Sequence, residues 1–170
     1  MTTPENKTEK SYYQPVKDWL ERQLKMQFND FHLEITANKQ FSNKLKEQIN
    51  DHRNIIFRFL NKAAPDITGF VKGSVSSEFI VVEVKNKEIK IDDIYQTRKY
   101  AELFDARYAL LVSIKEIPEE IKRLDKVVFP YLLAIPVYKR LTLVRFCGET
   151  NDSEWYPENP FAKIKSETMT

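Results

Sequence analysis

From Pro15 onward, Val16, Leu20 and Leu24 recur at helical spacing, with Trp19 and Phe28 widening the stripe. That pattern predicts a first amphipathic helix, with residues 1–11 before it as a polar, loose leader. Next, Phe31, Leu33 and Ile35 alternate with His32 and Glu34, the mark of a half-buried strand suited to a sheet edge. Between Phe41 and Lys62, apolar residues return mostly every three or four positions, which predicts a second, longer helix capped by Ser42. Pro65 ends it, because the residue before a proline is pushed into extended backbone.

Strands are predicted over 66–71 and 78–85, joined by the Gly and Ser turn in "KGSVSS". Asp92 or Asp93 then caps a helix running to Phe104, with Ile94, Ala101 and Leu103 on its apolar side. "RYALLVS" reads as a buried strand, and a short helix follows with Pro118 at its first position. "LLAIPVY" and "LTLVRFC" predict two more strands, the first marked by Pro136 as an edge or bulge. The order of elements predicts an α/β fold, a mixed central β-sheet flanked by helices. Residues 12–147 form the expected single domain, and 148–170 a tail that Trp155, Tyr156 and Phe161 pack in part against it.

Composition narrows the function classes. With 170 residues, 42% hydrophobic and 31% charged, the chain is an ordinary globular domain and needs no disulfide or structural metal to fold. One cysteine, Cys147, rules out an intramolecular disulfide or a four-thiolate cluster within the chain. The polar N-terminus and the lack of an apolar run near the roughly 18 residues of a membrane span lead to a cytoplasmic, non-membrane expectation. A net charge of +2 gives no global basic field, so any nucleic-acid binding rests on local placement of Lys and Arg.

The chemistry gathers at the end of the 78–85 strand. Alternation puts Phe79, Val81, Glu83 and Lys85 on one face, and a turn at 73–76 sets Asp66 directly opposite Glu83. Their Cβ atoms then lie about 4.5–5.5 Å apart. Two such carboxylates resist joint ionisation unless a cation sits between them, and hard oxygen donors suit Mg2+ or Mn2+. Lys85 beside them would hold an attacking water or stabilise charge developing on a phosphate. The competing reading is a surface hairpin with ordinary solvated charges, since short Glu-x-Lys matches are common.

"PDITGFV" followed by "FIVVEVKN" resembles the PD-(D/E)xK, or restriction-endonuclease-like, nuclease superfamily, in particular RecB-like nucleases and archaeal Holliday-junction resolvases. The resemblance covers mainly residues 64–113. It implies that Asp66, Glu83 and the backbone carbonyl of Val84 hold Mg2+ or Mn2+ while Lys85 assists attack on the scissile phosphate. Gln96 and Tyr100, one helical turn apart, resemble the Q-x-x-x-Y element of RecB-like members. Glu21 is the candidate for the further acid that the family draws from its first helix, set against ion pairing with Lys17 or Lys25. The long helix before Pro65 departs from the shortest resolvase layouts.

The resemblance implies a metal-dependent nuclease hydrolysing phosphodiester bonds, in DNA first, with a homodimer among the expected assemblies. The alternatives are a member that binds nucleic acid or a partner protein without cutting, and a structural or regulatory α/β domain whose match is accidental. Arg98, Lys99, Lys87 and Lys90 flank the site as possible phosphate contacts, nearly balanced by Glu88, Asp92, Asp93 and Glu102. His32 and His52 lack companions at metal-ligand spacing, and Cys147 is expected to pack by the last strand.

Overall fold

A computed structural model of the protein describes residues 7–148 and 152–162. Residues 1–6 of the leader and, in the tail, residues 149–151 and 163–170 lie outside the described residues. The described part of the leader is ordered: Glu9–Tyr12 form a 3-10 turn that runs directly into helix α1, Tyr13–Lys25. Pro15 sits in the first turn of α1, where a missing amide costs nothing, rather than before the helix. Val16, Trp19, Leu20 and Leu24 are all buried, as their spacing predicts.

Strand β1, Phe31–Ile35, is an edge of the sheet. The long helix expected over 41–62 is instead three short pieces: α2, Asn43–Lys46, a 3-10 turn at Asp51–Arg53, and α3, Ile56–Leu60. Asn50 takes extended backbone and breaks the run, while Leu45, Ile49, Ile56 and Leu60 still bury against one core. Ser42 caps α2 as expected, its Oγ accepting from the Leu45 amide at 3.2 Å.

Strands β2, Ile67–Lys72, and β3, Ser77–Lys85, form the expected antiparallel hairpin, with Lys72 opposite Ser77 and Ile67 opposite Val82. Helix α4, Ile91–Phe104, carries the chain across the sheet to β4, Tyr108–Ser113, which pairs parallel to β3. Neither Asp92 nor Asp93 occupies the cap position of α4; Lys90 does, and Asp93 at the third helical position reaches back to accept from the Lys90 amide at 2.9 Å. Pro118 likewise precedes α5, Glu119–Val127, instead of opening it.

The "LLAIPVY" segment does not join the main sheet. It makes a small ribbon of its own, β5, Ala134–Ile135, with β6, Lys139–Arg140, and Pro136 lies in the connection, where no ladder amide is needed. Strand β7, Thr142–Arg145, pairs parallel to β4, and the tail adds β8, Glu154–Tyr156, as the far edge. The result is an α/β fold whose six-stranded mixed sheet runs β1-β2-β3-β4-β7-β8.

Side-chain alternation divides the core in two. On one face α1 packs over Leu33, Ile67, Val82, Val84, Leu110 and Val144. On the other, α2 to α5 pack over Phe70, Phe79, Val81, Leu111 and Leu143. Parallel β3, β4 and β7 end together at one rim, the place where open α/β sheets present ligand sites. No helix of the described residues is long and apolar enough to cross a membrane.

Candidate active site

Extending the hairpin register by one pair beyond Ile67 and Val82 places Asp66 opposite Glu83, the arrangement the sequence predicts. Glu83 alternates in step with Val81 toward the α4 side of the sheet, while Asp66 lies at a bend just before β2. Both are buried, Asp66 at 7% and Glu83 at 3% exposure. Lys85 Nζ stands 3.9 Å from Glu83 Oε2 and 3.9 Å from Asp93 Oδ1, bracketed by the two carboxylates. Glu83 Oε1 is buried with no hydrogen-bond partner.

One further pair along, Pro65 falls opposite Val84, and this proline shapes the site. The backbone groups of Val84 face β2, because alternate residues of β3, Phe79 and Lys85 among them, give their carbonyls to Arg107 and Ile114 on the β4 side. A regular ladder would pair Val84 with residue 65 through two hydrogen bonds. Proline has no N–H to offer the Val84 carbonyl. The Val84 amide is taken by the side chain of Asp66, its Oδ2 accepting at 2.8 Å.

Electrostatics around the two carboxyls favour protonated acids. Burial first, and then the charge of Asp66, push the Glu83 carboxyl up to about 9, against the pull of Lys85. Asp66 is also raised, chiefly by burial, although the Val84 amide, the Tyr13 hydroxyl and Lys85 favour its charged form. Burial, followed by Asp66, holds the Tyr13 phenol well above the usual phenol range.

Gln96 and Tyr100 lie together on α4, Gln96 Nε2 donating to the Tyr100 hydroxyl at 3.3 Å. Tyr100 is buried, which raises its phenol; the charges of Glu83 and Asp66 add to the effect. The Tyr100 phenol therefore lies within electrostatic reach of the two carboxyls. Glu21 turns elsewhere, forming an ion pair with Lys17 at 2.6 Å. The acid from the N-terminal segment whose charge bears on Asp66, Glu83 and Tyr13 is Glu9. Asn86 Nδ2 donates to the Lys7 carbonyl at 3.4 Å and ties that segment to the end of β3.

Of the flanking cations, Arg98 lies 5.6 Å from the Tyr95 ring centroid and Lys99 4.9 Å from that of Tyr100, while Lys87 and Lys90 are exposed. His32 Nε2 is 2.8 Å from Glu34 Oε1. Among the described residues, no three His, Cys, Asp or Glu side chains form a ready-made metal cluster. The oxygen set at the rim is two carboxyls and the Val84 carbonyl.

Glu9, Tyr13 and Asp93 are the neighbours that sequence reasoning did not assign to the site. Asp93 carried a usable signal, three residues after Lys90 at a helix start. Glu9 and Tyr13 carried none, because their proximity to β3 arises only when the chain start folds over the sheet rim. Comparison with protein-family models, curated proteins and solved structures returns no match for this chain.

Proposed function

We propose that this protein is a metal-dependent nuclease of the PD-(D/E)xK kind, hydrolysing phosphodiester bonds in nucleic acid, with DNA as its first expected substrate. One observation carries the reading: two buried carboxyls, Asp66 and Glu83, stand side by side, and Glu83 Oε1 has no partner. A buried carboxylate oxygen without a partner costs about 1–3 kcal/mol or more, and an opposed second carboxylate adds repulsion. Oxygen donors of this kind fit a hard divalent cation, Mg2+ or Mn2+.

Asp66, Glu83 and the Val84 carbonyl would hold that ion, which when bound supplies Lewis-acid polarisation of a phosphate oxygen. Asp66 is oriented for the task by the Val84 amide. Lys85, kept at the mouth by Glu83 and Asp93, stabilises negative charge as it builds on the phosphorus centre. The Tyr100 hydroxyl, positioned by Gln96, orients a phosphate oxygen or the attacking water. Glu9 supplies further negative charge at the rim, in the role that the sequence had suggested for Glu21.

The test is cleavage of labelled linear, branched and single-stranded DNA with Mg2+, Mn2+ or chelator. Wild type should cut with metal and stop with chelator, and Asp66→Ala should be inactive while retaining its far-ultraviolet circular dichroism. Equal cleavage by wild type and Asp66→Ala would sink the reading. Metal binding without cleavage of any substrate would favour a member that binds without cutting.

A further inference from the structure

The backbone around Asp66 is held by two threonine side chains to which sequence reasoning assigned no role. Thr36, one residue past the end of β1, is fully buried, as is Thr68 on β2. Thr36 Oγ1 donates to the Pro65 carbonyl at 2.6 Å, and the Thr36 and Thr68 hydroxyl oxygens are 2.8 Å apart. With the Thr36 proton on Pro65, Thr68 is the donor of the second bond, so the two hydroxyls form a short relay ending on the Pro65 carbonyl. The Thr36 amide also donates to the Asp66 carbonyl at 2.8 Å, fixing both carbonyls that bound the catalytic peptide.

In a continued ladder the Pro65 carbonyl would accept from Val84, the residue opposite it. The Thr36 hydroxyl takes that carbonyl instead, and the Val84 amide is thereby left for the Asp66 carboxylate at 2.8 Å. We propose that Thr36, supported by Thr68, is a positioning residue of the site: its hydroxyl diverts the Pro65 carbonyl from the β2–β3 ladder and so directs the Asp66 carboxylate onto the Val84 amide, beside Glu83. This rests on the nuclease reading for its purpose, though the diversion of hydrogen bonds can be measured without it. Neither threonine touches substrate; both act through Asp66.

The experiment compares Thr36→Val, which keeps the shape and removes the hydroxyl, with Thr36→Ser, which restores it. The readouts are the Val84 amide in nitrogen–proton correlation spectra and Mn2+ titration. In wild type the Val84 amide resonance should follow Asp66→Asn, as expected of a proton bonded to that carboxylate. Thr36→Val should remove this dependence and weaken Mn2+ binding about five- to tenfold, the scale of one lost buried hydrogen bond. Thr36→Ser should recover both. If Thr36→Val does not fold, Thr68→Val gives the second reading, with a smaller change expected at Val84. A Val84 amide that keeps its Asp66 dependence in the folded valine variant overturns the proposal. A change at Val84 in a protein whose wild type binds no Mn2+ upholds the positioning role and overturns the metal reading alone.

Discussion

At the scale of single residues the site is a conflict between burial and charge. Glu83 has an ordinary value of 4.5 that burial and Asp66 lift to about 9. The sign of the stability effect follows directly. Between those two values the folded protein holds a proton that the unfolded chain has released, so stability falls as pH rises. The contribution is fully present below about 4.5 and lost as pH passes through about 9. Urea unfolding of the metal-free protein at a series of pH values should show this decline. Glu83→Gln, which has no proton to lose there, should flatten it; an unchanged slope in the glutamine variant would show that another group is responsible. Asp66 works in the same direction, so some slope should remain in Glu83→Gln.

At the scale of elements, the β1–β2–β3 sheet brings the site together, and one glycine permits it. A Cβ on Gly69 would lie 2.1 Å from the His32 carbonyl oxygen and 2.5 Å from Leu33 Cδ2. Gly69→Ala should push β1 off β2, costing about 3 kcal/mol or more, the upper range for overpacking. Because Thr36 and its bonds to Pro65 and Asp66 lie at the end of β1, metal affinity should fall along with the unfolding midpoint. A variant with wild-type stability would contradict the close packing of these strands. Toward the β8 edge of the sheet, Asp125 of α5 accepts from the Leu133 amide at 3.1 Å, the Tyr156 hydroxyl at 3.2 Å and the Arg140 guanidinium. It joins α5, the β5–β6 ribbon and β8 through one buried carboxylate. Asp125→Ala should cost about 1–3 kcal/mol in chemical denaturation, because it leaves the buried Leu133 amide without its acceptor, while the Arg140 guanidinium, 39% exposed, can turn to water.

These elements also show what was legible in the chain. The β2–β3 register was readable because a turn at Gly73 and strict alternation through Phe79, Val81 and Glu83 leave no freedom to slip. Helix α4, with Gln96 and Tyr100 on one face, was readable for the same local reason. The stretch from Phe41 to Leu60 misled because its apolar spacing reports which side faces the core, and three short pieces can share that side as well as one helix. The small β5–β6 ribbon and three-residue β8 are below the length at which alternation speaks. Glu9, Tyr13 and Thr36 join the site through contacts across 29 or more positions, which no spacing rule records. Strand ends and chain ends meet only in the fold.

On the scale of the whole molecule, the sheet separates two cores and leaves the carboxyl ends of β3, β4 and β7 at a common rim. The site therefore stands on rigid strands, while Asp66 and Glu83 carry a destabilising burden that a bound ion would relieve. Binding and folding stability are linked: a ligand at 100 times its dissociation constant stabilises the native state by about 2.7 kcal/mol. For a chain of this size that is a rise of about 5–10 °C in midpoint. Thermal unfolding of wild type with Mn2+ should show such a shift, and Glu83→Gln should lose most of it. Lowering the pH should shrink the shift as well, because the ion must displace protons that burial retains on both carboxyls. An Mn2+ shift of equal size in Glu83→Gln, or one independent of pH, would place the ion away from Asp66 and Glu83 and remove the ground for the nuclease reading.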